Sequence, residues 1–267
     1  MSICPLADLE LETLLKEIRA KILLEFHIVD NNPKILEFQK ALSLQCFTNE
    51  YIYDSNSDEE KAIDVLEAKV KNSLALGQQP SLQAILCLTS YKALYEYTWH
   101  QSIAPSKTLD TVFTRQIREP RLESKLKNNI PTLEEITDDI SVKVRDQYET
   151  HPYPRWVNLS LPVKSEPISH IVAQSKIKLF DNEINKINTP NILVAGCGTG
   201  QHSIATAAKF KNSKVLGIDL SLSSLAYAKR KTEDLNINNI EYMHADILKL
   251  DKINRQFDIF ELSLIHI

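Results

Sequence analysis

Glycine is scarce in this chain of 267 residues, with five in all. Long apolar runs are missing as well, and none approaches the ~20 residues that a bilayer-spanning helix needs. The N-terminal stretch MSICPLADLELE turns acidic within a few residues and lacks the basic and apolar regions of a secretory signal. Positive charge is not in excess. Lys and Arg number 31 against 35 Asp and Glu, a net charge of -4, so neither a nucleic-acid backbone nor a membrane is indicated as partner. The four cysteines, Cys4, Cys46, Cys87 and Cys197, are scattered without a C-x-x-C pair. They fit reduced thiols in a cytoplasm better than a disulfide framework, and no metal site is expected.

What is present is ordinary globular composition, 43% hydrophobic and 25% charged, over a length that suits one large or two modest domains. Apolar residues at three-and-four spacing predict an α-helical domain over 1–105. Leu11, Leu14, Leu15, Ile18, Ile22 and Phe26 mark its first helix. Later helices are expected over about 35–51 and 59–76, and from Ser81 through Tyr95. No 34-residue self-similarity stands out. Tyr91, Tyr95, Tyr97 and Trp99 read as core and interface, since no basic groove accompanies them. A proline-rich connector follows over 106–165, with a helix expected over Leu133 to Tyr148. Pro152 and Pro154 flank Tyr153 and stiffen the chain there. That segment is either a rigid linker or a lid, with Tyr148, Tyr153 and Arg155 as the candidate lid residues.

From 166 to 261 the pattern changes to alternating helices and short apolar strands. Strands are expected at Asn191 to Ala195, Lys214 to Ile218, Ile240 to Met243 and Phe257 to Phe260. Such alternation predicts an α/β fold with a parallel sheet covered on both faces. The run Lys229-Arg230-Lys231 reads as a solvated helix face.

Three of the five glycines, Gly196, Gly198 and Gly200, fall together in Ala195-Gly196-Cys197-Gly198-Thr199-Gly200, after the first strand and before a helix. Such a turn lets main-chain N–H groups approach a ligand closely, and the helix start favours an anion. Asp219 closes the second strand, where a carboxylate can accept both hydroxyls of a ribose. Asp246 follows the third strand, where an acceptor suits the amine of adenine. Taken singly, each acid is an ordinary strand-end carboxylate; in register after successive strands, the three features point to one nucleoside site. Gln201 occupies the place of the last glycine in the dinucleotide fingerprint, and with Asp246 it disfavours a nicotinamide oxidoreductase. The G-x-G-x-G spacing suits a ligand with an amino-acid tail, S-adenosylmethionine.

Through ILVAGCGTG, VLGIDLS and HADIL, the chain resembles class I methyltransferases over about 191–261. It also resembles the bacterial tetratricopeptide-repeat-associated methyltransferase group. That likeness rests on Cys46-Phe47-Thr48-Asn49-Glu50-Tyr51, Arg118-Glu119-Pro120, Gln147-Tyr148-Glu149 and Pro152-Tyr153-Pro154-Arg155-Trp156. The resemblance implies a Rossmann-like doubly wound sheet after the helical domain, with strand order 3-2-1-4 for the four strands present. It implies that Ala195, Gly196, Cys197, Gly198 and Gly200 cradle the methionine moiety of S-adenosyl-L-methionine. Asp219 would hold the ribose, Leu220 would pack beside the adenine, and Asp246 with Ile247 would contact it. Val194 departs from the family, which often has an acid two residues before the first glycine. No catalytic base or methyl acceptor is implied.

The last six residues, Leu262 to Ile267, match the translation of a common transposase sequencing adaptor. They are read as a non-native tail that leaves the methyltransferase domain incomplete, so His266 is no catalytic candidate. The rival reading is a helical partner-binding protein whose methyltransferase-like domain senses the cofactor without catalysis. A nucleophile-positioning residue in the loop after the fourth strand would separate the two.

Overall fold

Short polar side chains set where the N-terminal helices begin. In the computed structural model, which describes residues 8–28, 32–175, 179 and 182–263, Asp8 accepts the Leu11 N–H at the start of α1 (Leu9–Leu24). Asn32 caps α2 (Pro33–Thr48), whose first residue is a proline that needs no hydrogen-bond acceptor there. Asn56 and Glu59 form a reciprocal capping box on α3 (Ser57–Ala75). Ser81 caps α4, which ends at Leu88 rather than continuing to Tyr95 (Leu82–Leu88). Hydroxyls at the next two positions explain the early stop. Thr89 and Ser90 donate back to the Leu86 and Cys87 carbonyls at 3.2 and 2.6 Å, competing with further helix bonds.

Contacts divide the chain into two units, residues 1–121 with 154–158, and residues 122–153 with 159–267. Leu23, Leu44, Leu66, Val70, Ile85, Leu88 and Leu109 form much of the core of the first. Burying each such side chain is worth about 1.5–3 kcal/mol before chain entropy is charged against it. Tyr97 and Trp99 are buried as expected, whereas Tyr95 is exposed. Arg19 is also buried, donating to the Tyr53 and Asp54 carbonyls and lying 4.0 Å from the Tyr91 ring centre.

Within 110–127 the chain is continuously helical, through α5 (Asp110–Phe113), a π-helical turn at Thr114–Arg118 and α6 (Glu119–Lys127). Pro120 has no N–H to offer the preceding turn, and the wider π-turn takes up the irregularity.

In the second unit, α7 (Asp139–Thr150) starts at an Asp138 cap, so the helix expected from Leu133 begins six residues later. Residues 131–133 run instead beside the third strand. His244 N–H donates to the Pro131 carbonyl and Leu133 N–H to the His244 carbonyl, both at 2.9 Å. Tertiary pairing of an edge has won over helical spacing there. After α8 (Ile168–Ser175), strands and helices alternate as β1 (Asn191–Ala195), α9 (Gln201–Lys209), β2 (Lys214–Asp219), α10 (Leu222–Asp234), β3 (Ile240–His244) and β4 (Ile259–Leu262). All strand pairs are parallel, in the order β3-β2-β1-β4.

Alternate residues along the strands face opposite layers. Ile192, Val194 and Val215 join Ile168, Ala207, Leu225 and Ala228 in one cluster; Leu193, Ala195, Leu216 and Ile218 join Ile253 and Leu133 in the other. This is the parallel sheet covered on both faces that the alternation predicts, in the Rossmann-like order that the resemblance implies.

Two details differ from the sequence reading. β4 lies two residues later than expected and runs through Leu262, which is in register with Ala195, and Ser263 N–H donates to the Ala195 carbonyl at 2.8 Å. Residues 264–267, including His266, lie outside the described residues. Arg230 is not on a solvated face. It is buried, because the α10 surface there meets Glu123, whose carboxylate it bonds at 2.9 Å.

Candidate functional site

β1 delivers the glycine turn at its C-terminal end, and the turn needs its glycines for different reasons. Gly196, Gly198 and Gly200 have φ of 67°, 51° and 88°, in the left-handed region that side chains resist. A Cβ on Gly200 would also lie 2.6 Å from the Ala228 Cβ, so close packing of α9 on α10 demands glycine there. A Cβ on Gly198 would meet nothing within 4 Å. Gly198 therefore faces open space, and Gly200 faces the core. Cys197, between Gly196 and Gly198, is buried and donates its N–H to the Ile218 carbonyl at 3.0 Å. Burial and the Asp219 charge hold its thiol well above the usual range, so it is an inert core group.

Asp219 ends β2 facing this turn. One carboxylate oxygen accepts the Gly198 N–H at 2.8 Å and the other accepts the Ser221 N–H at 2.9 Å. Burial pushes its carboxyl up, and those two N–H groups, with the His244 charge, partly oppose the shift. Each oxygen keeps a lone pair after its backbone bond, which is the acceptor pattern a vicinal diol requires.

Leu220 is held from behind, where the His244 ring Nε2 lies 2.8 Å from its carbonyl oxygen and Nδ1 is 3.3 Å from the Thr132 hydroxyl. Asp246 is buried after β3 and caps the short 3-10 turn Ile247–Lys252 by accepting the Leu248 N–H at 2.9 Å. The main chain joins the second and third positions directly, as Ala245 N–H donates to the Asp219 carbonyl at 3.1 Å. The turn and the two acids thus lie at the C-terminal ends of three adjacent strands, where ligands of open α/β sheets bind.

Val194 is fully buried in the core. Opposite it on β4 stands Glu261, in register. Its carboxylate accepts from the Thr206 hydroxyl at 2.6 Å and lies 3.0 Å from His202 Nε2. The carboxylate raises the His202 pKa; burial would raise that of Glu261, but the histidine and the hydroxyl bring it below the usual value. A cavity of about 460 Å³ runs along this flank of α9, lined by His202, Thr206, Lys209, Glu261 and Lys164 among others. None of Gly198, Asp219 and Asp246 lines it, so its size alone does not make it the nucleoside site.

Of the candidate lid residues, Tyr148 sits at this edge of the sheet, with its carbonyl accepting from the Ser221 hydroxyl at 3.0 Å. Tyr153 is exposed. Arg155 is buried in the helical unit, where it bonds the Glu50 carboxylate and lies 4.9 Å from the Phe47 ring centre. His244, Thr132 and Glu261 were not singled out by sequence. The signal for His244 and Glu261 is alternation along β3 and β4, which does not name a partner, and Thr132 lies outside any strand.

Residues 192–267 match the methyltransferase domain family. The matched segment begins in β1 and takes in the glycine turn, Asp219 and Asp246. A demethylmenaquinone methyltransferase of Oceanobacillus iheyensis is 38% identical over 63 residues, 23% of this chain and 26% of that protein. An uncharacterized protein of Rickettsia prowazekii is 33% identical over 81 residues, 30% of this chain and 32% of its own. The chain therefore spans about a third or less of these relatives' length. Among solved structures, PKMT2 from Rickettsia typhi in complex with AdoHcy is 33% identical, over 27% of this chain and 14% of that one, with a TM-score of 0.26.

Proposed function

We propose that the chain is an S-adenosylmethionine-dependent methyltransferase, with its cofactor held at the ends of β1, β2 and β3. The observation that carries this reading is the Asp219 carboxylate bound to the Gly198 N–H at 2.8 Å, with a ribose-type acceptor set beside an open glycine turn. The residues fit the group. Gly196, Gly198 and Gly200 would hold the methionine moiety by main-chain approach, Asp219 the ribose hydroxyls, and Leu220, Asp246 and Ile247 the adenine. When bound, the cofactor supplies an electrophilic sulfonium methyl. The protein's part is to position and desolvate the nucleophile, with a base needed only for an acceptor whose proton is held at high pKa.

The stretch from Tyr148 through Tyr153 would act as a lid over that site. The four motif segments in 46–51, 118–120, 147–149 and 152–156 support membership of the tetratricopeptide-repeat-associated group, with the helical domain open to a protein partner. The buried thiols Cys87 and Cys197 suit a reducing compartment such as the cytoplasm, and no helix among the described residues is long and apolar enough to cross a membrane.

Calorimetry with S-adenosylhomocysteine tests the cofactor assignment, with NAD as the competing nucleotide. Binding of the first that NAD does not displace is expected. Binding of NAD alone would overturn the reading.

A further inference from the structure

The loop that bears Asp219 is not held by the sheet alone. Glu149, in the last turn of α7, reaches the start of α10 just beyond that loop. Its carboxylate accepts the Ser223 N–H at 2.9 Å and the Ser221 hydroxyl at 3.1 Å. Its main-chain carbonyl accepts the Ser223 hydroxyl at 2.7 Å, and the Tyr148 carbonyl accepts the Ser221 hydroxyl at 3.0 Å. Lys127 completes the cluster, with its ammonium 2.7 Å from the Glu149 carboxylate and 2.6 Å from the Ser223 hydroxyl. Burial would push the Glu149 carboxyl up, but Lys127 and the Ser223 N–H outweigh it and hold it below the usual range.

A carboxylate at the N-terminus of a thirteen-residue helix is favoured by the exposed N–H groups and the helix dipole. Here it belongs to another element, so the interaction docks α7 as well as capping α10. Ser221 is the point of transmission. Its hydroxyl is engaged by α7, while its own N–H is one of the two that grip the Asp219 carboxylate. Ser221 is also the residue that caps α10, accepting the Ser224 N–H at 3.0 Å.

We propose that Glu149 and Lys127 are positioning residues for the cofactor's ribose. They clamp Ser221 and Ser223, and thereby fix the direction in which Asp219 presents its free lone pairs. Neither residue touches the ligand in this role. The inference rests on the methyltransferase reading for its ligand, but the clamp itself is a property of this chain.

The experiment uses the full chain and three variants, Glu149→Gln, Lys127→Met and the double variant. Two measurements are made on each. The first is hydrogen exchange at the amides of 219–224, and the second is S-adenosylhomocysteine affinity well below each variant's melting temperature. Faster exchange confined to that stretch is expected, together with affinity weakened about 5-fold or more. The double variant should lose no more than the worse single one, because the two residues act as one clamp. Glu149→Gln with a lowered melting temperature but unchanged exchange and affinity would overturn the proposal, since that is what mere helix docking predicts. If Glu149→Gln does not fold, Lys127→Met alone carries both measurements, and unchanged values would overturn it equally. A wild-type chain that binds no S-adenosylhomocysteine would sink the methyltransferase reading and the ribose role with it. Local exchange would then still decide whether the clamp orders the loop.

Discussion

Asp219 Oδ2 accepts the Gly198 main-chain N–H at 2.8 Å, and this bond joins the turn after β1 to the end of β2. One carboxylate thus braces a left-handed glycine, and each of its oxygens keeps a lone pair beyond its backbone bond.

Replacing that carboxylate should remove both. Asp219→Ala is expected to weaken S-adenosylhomocysteine binding by about 1.5–3 kcal/mol, the usual range for hydrogen bonds to a charged acceptor. Calorimetry on wild type and variant measures it. Equal affinities would refute the ribose assignment.

The glycines of the turn should respond unequally. Gly200→Ala places a Cβ 2.6 Å from the Ala228 Cβ at a φ of 88°. Left-handed backbone costs about 1–2 kcal/mol, and overpacking typically adds about 1–3 kcal/mol. Gly198→Ala meets nothing within 4 Å, so its loss of stability should stay near the backbone cost alone, ~1–2 kcal/mol. Its larger effect should fall on cofactor binding, because the added methyl points into the space a ligand would use. Urea midpoints for the two variants give the comparison, and equal destabilisation would contradict the assignment of open and packed faces.

The pair His202 and Glu261 should make stability depend on pH from both sides. His202 has a raised pKa, so its contribution is fully present below the ordinary histidine value of 6.5 and is lost as pH rises through the raised one. Glu261 has a lowered pKa, so its contribution is present above 4.5 and is lost as pH falls through the lowered one. The pair therefore stabilises most between about 4.5 and 6.5. An NMR titration should place His202 above 6.5 in the wild type and nearer that value in Glu261→Gln. No difference between the two would show that the carboxylate is not the cause.

β4 pairs only with β1 among the described residues, and Phe260 and Leu262 on it are 51% and 53% exposed. An apolar edge of this kind is a template for association. Phe260→Lys should lower concentration-dependent light scattering of the chain while leaving its secondary structure intact. Scattering that is unchanged would place the sticky surface elsewhere.

Much of this architecture follows from residues close together in sequence. Asp8, Asn32, Asn56 and Asp138 set helix starts because a cap satisfies N–H groups two or three positions away. Short apolar runs with helices between them can be covered only as a parallel sheet, and the clustered glycines announce a turn no other residue tolerates as well. For the same reason Gly196, Gly198, Gly200, Asp219 and Asp246 were legible as a candidate site: each stands at or just beyond a strand end, and strand ends are a local property. What the tertiary structure decided lies at longer range. Thr132 meets His244 across 112 positions, Glu149 meets Ser223 across 74, and Glu261 meets Thr206 across 55. Leu133 left its helical spacing for an edge, and Arg230 left a basic run for Glu123, because burial and pairing with a distant element outweigh propensities worth a few tenths of a kcal/mol. Local chemistry fixes where an element begins and what it could hold. Only the packing of whole elements fixes which side chains then face one another.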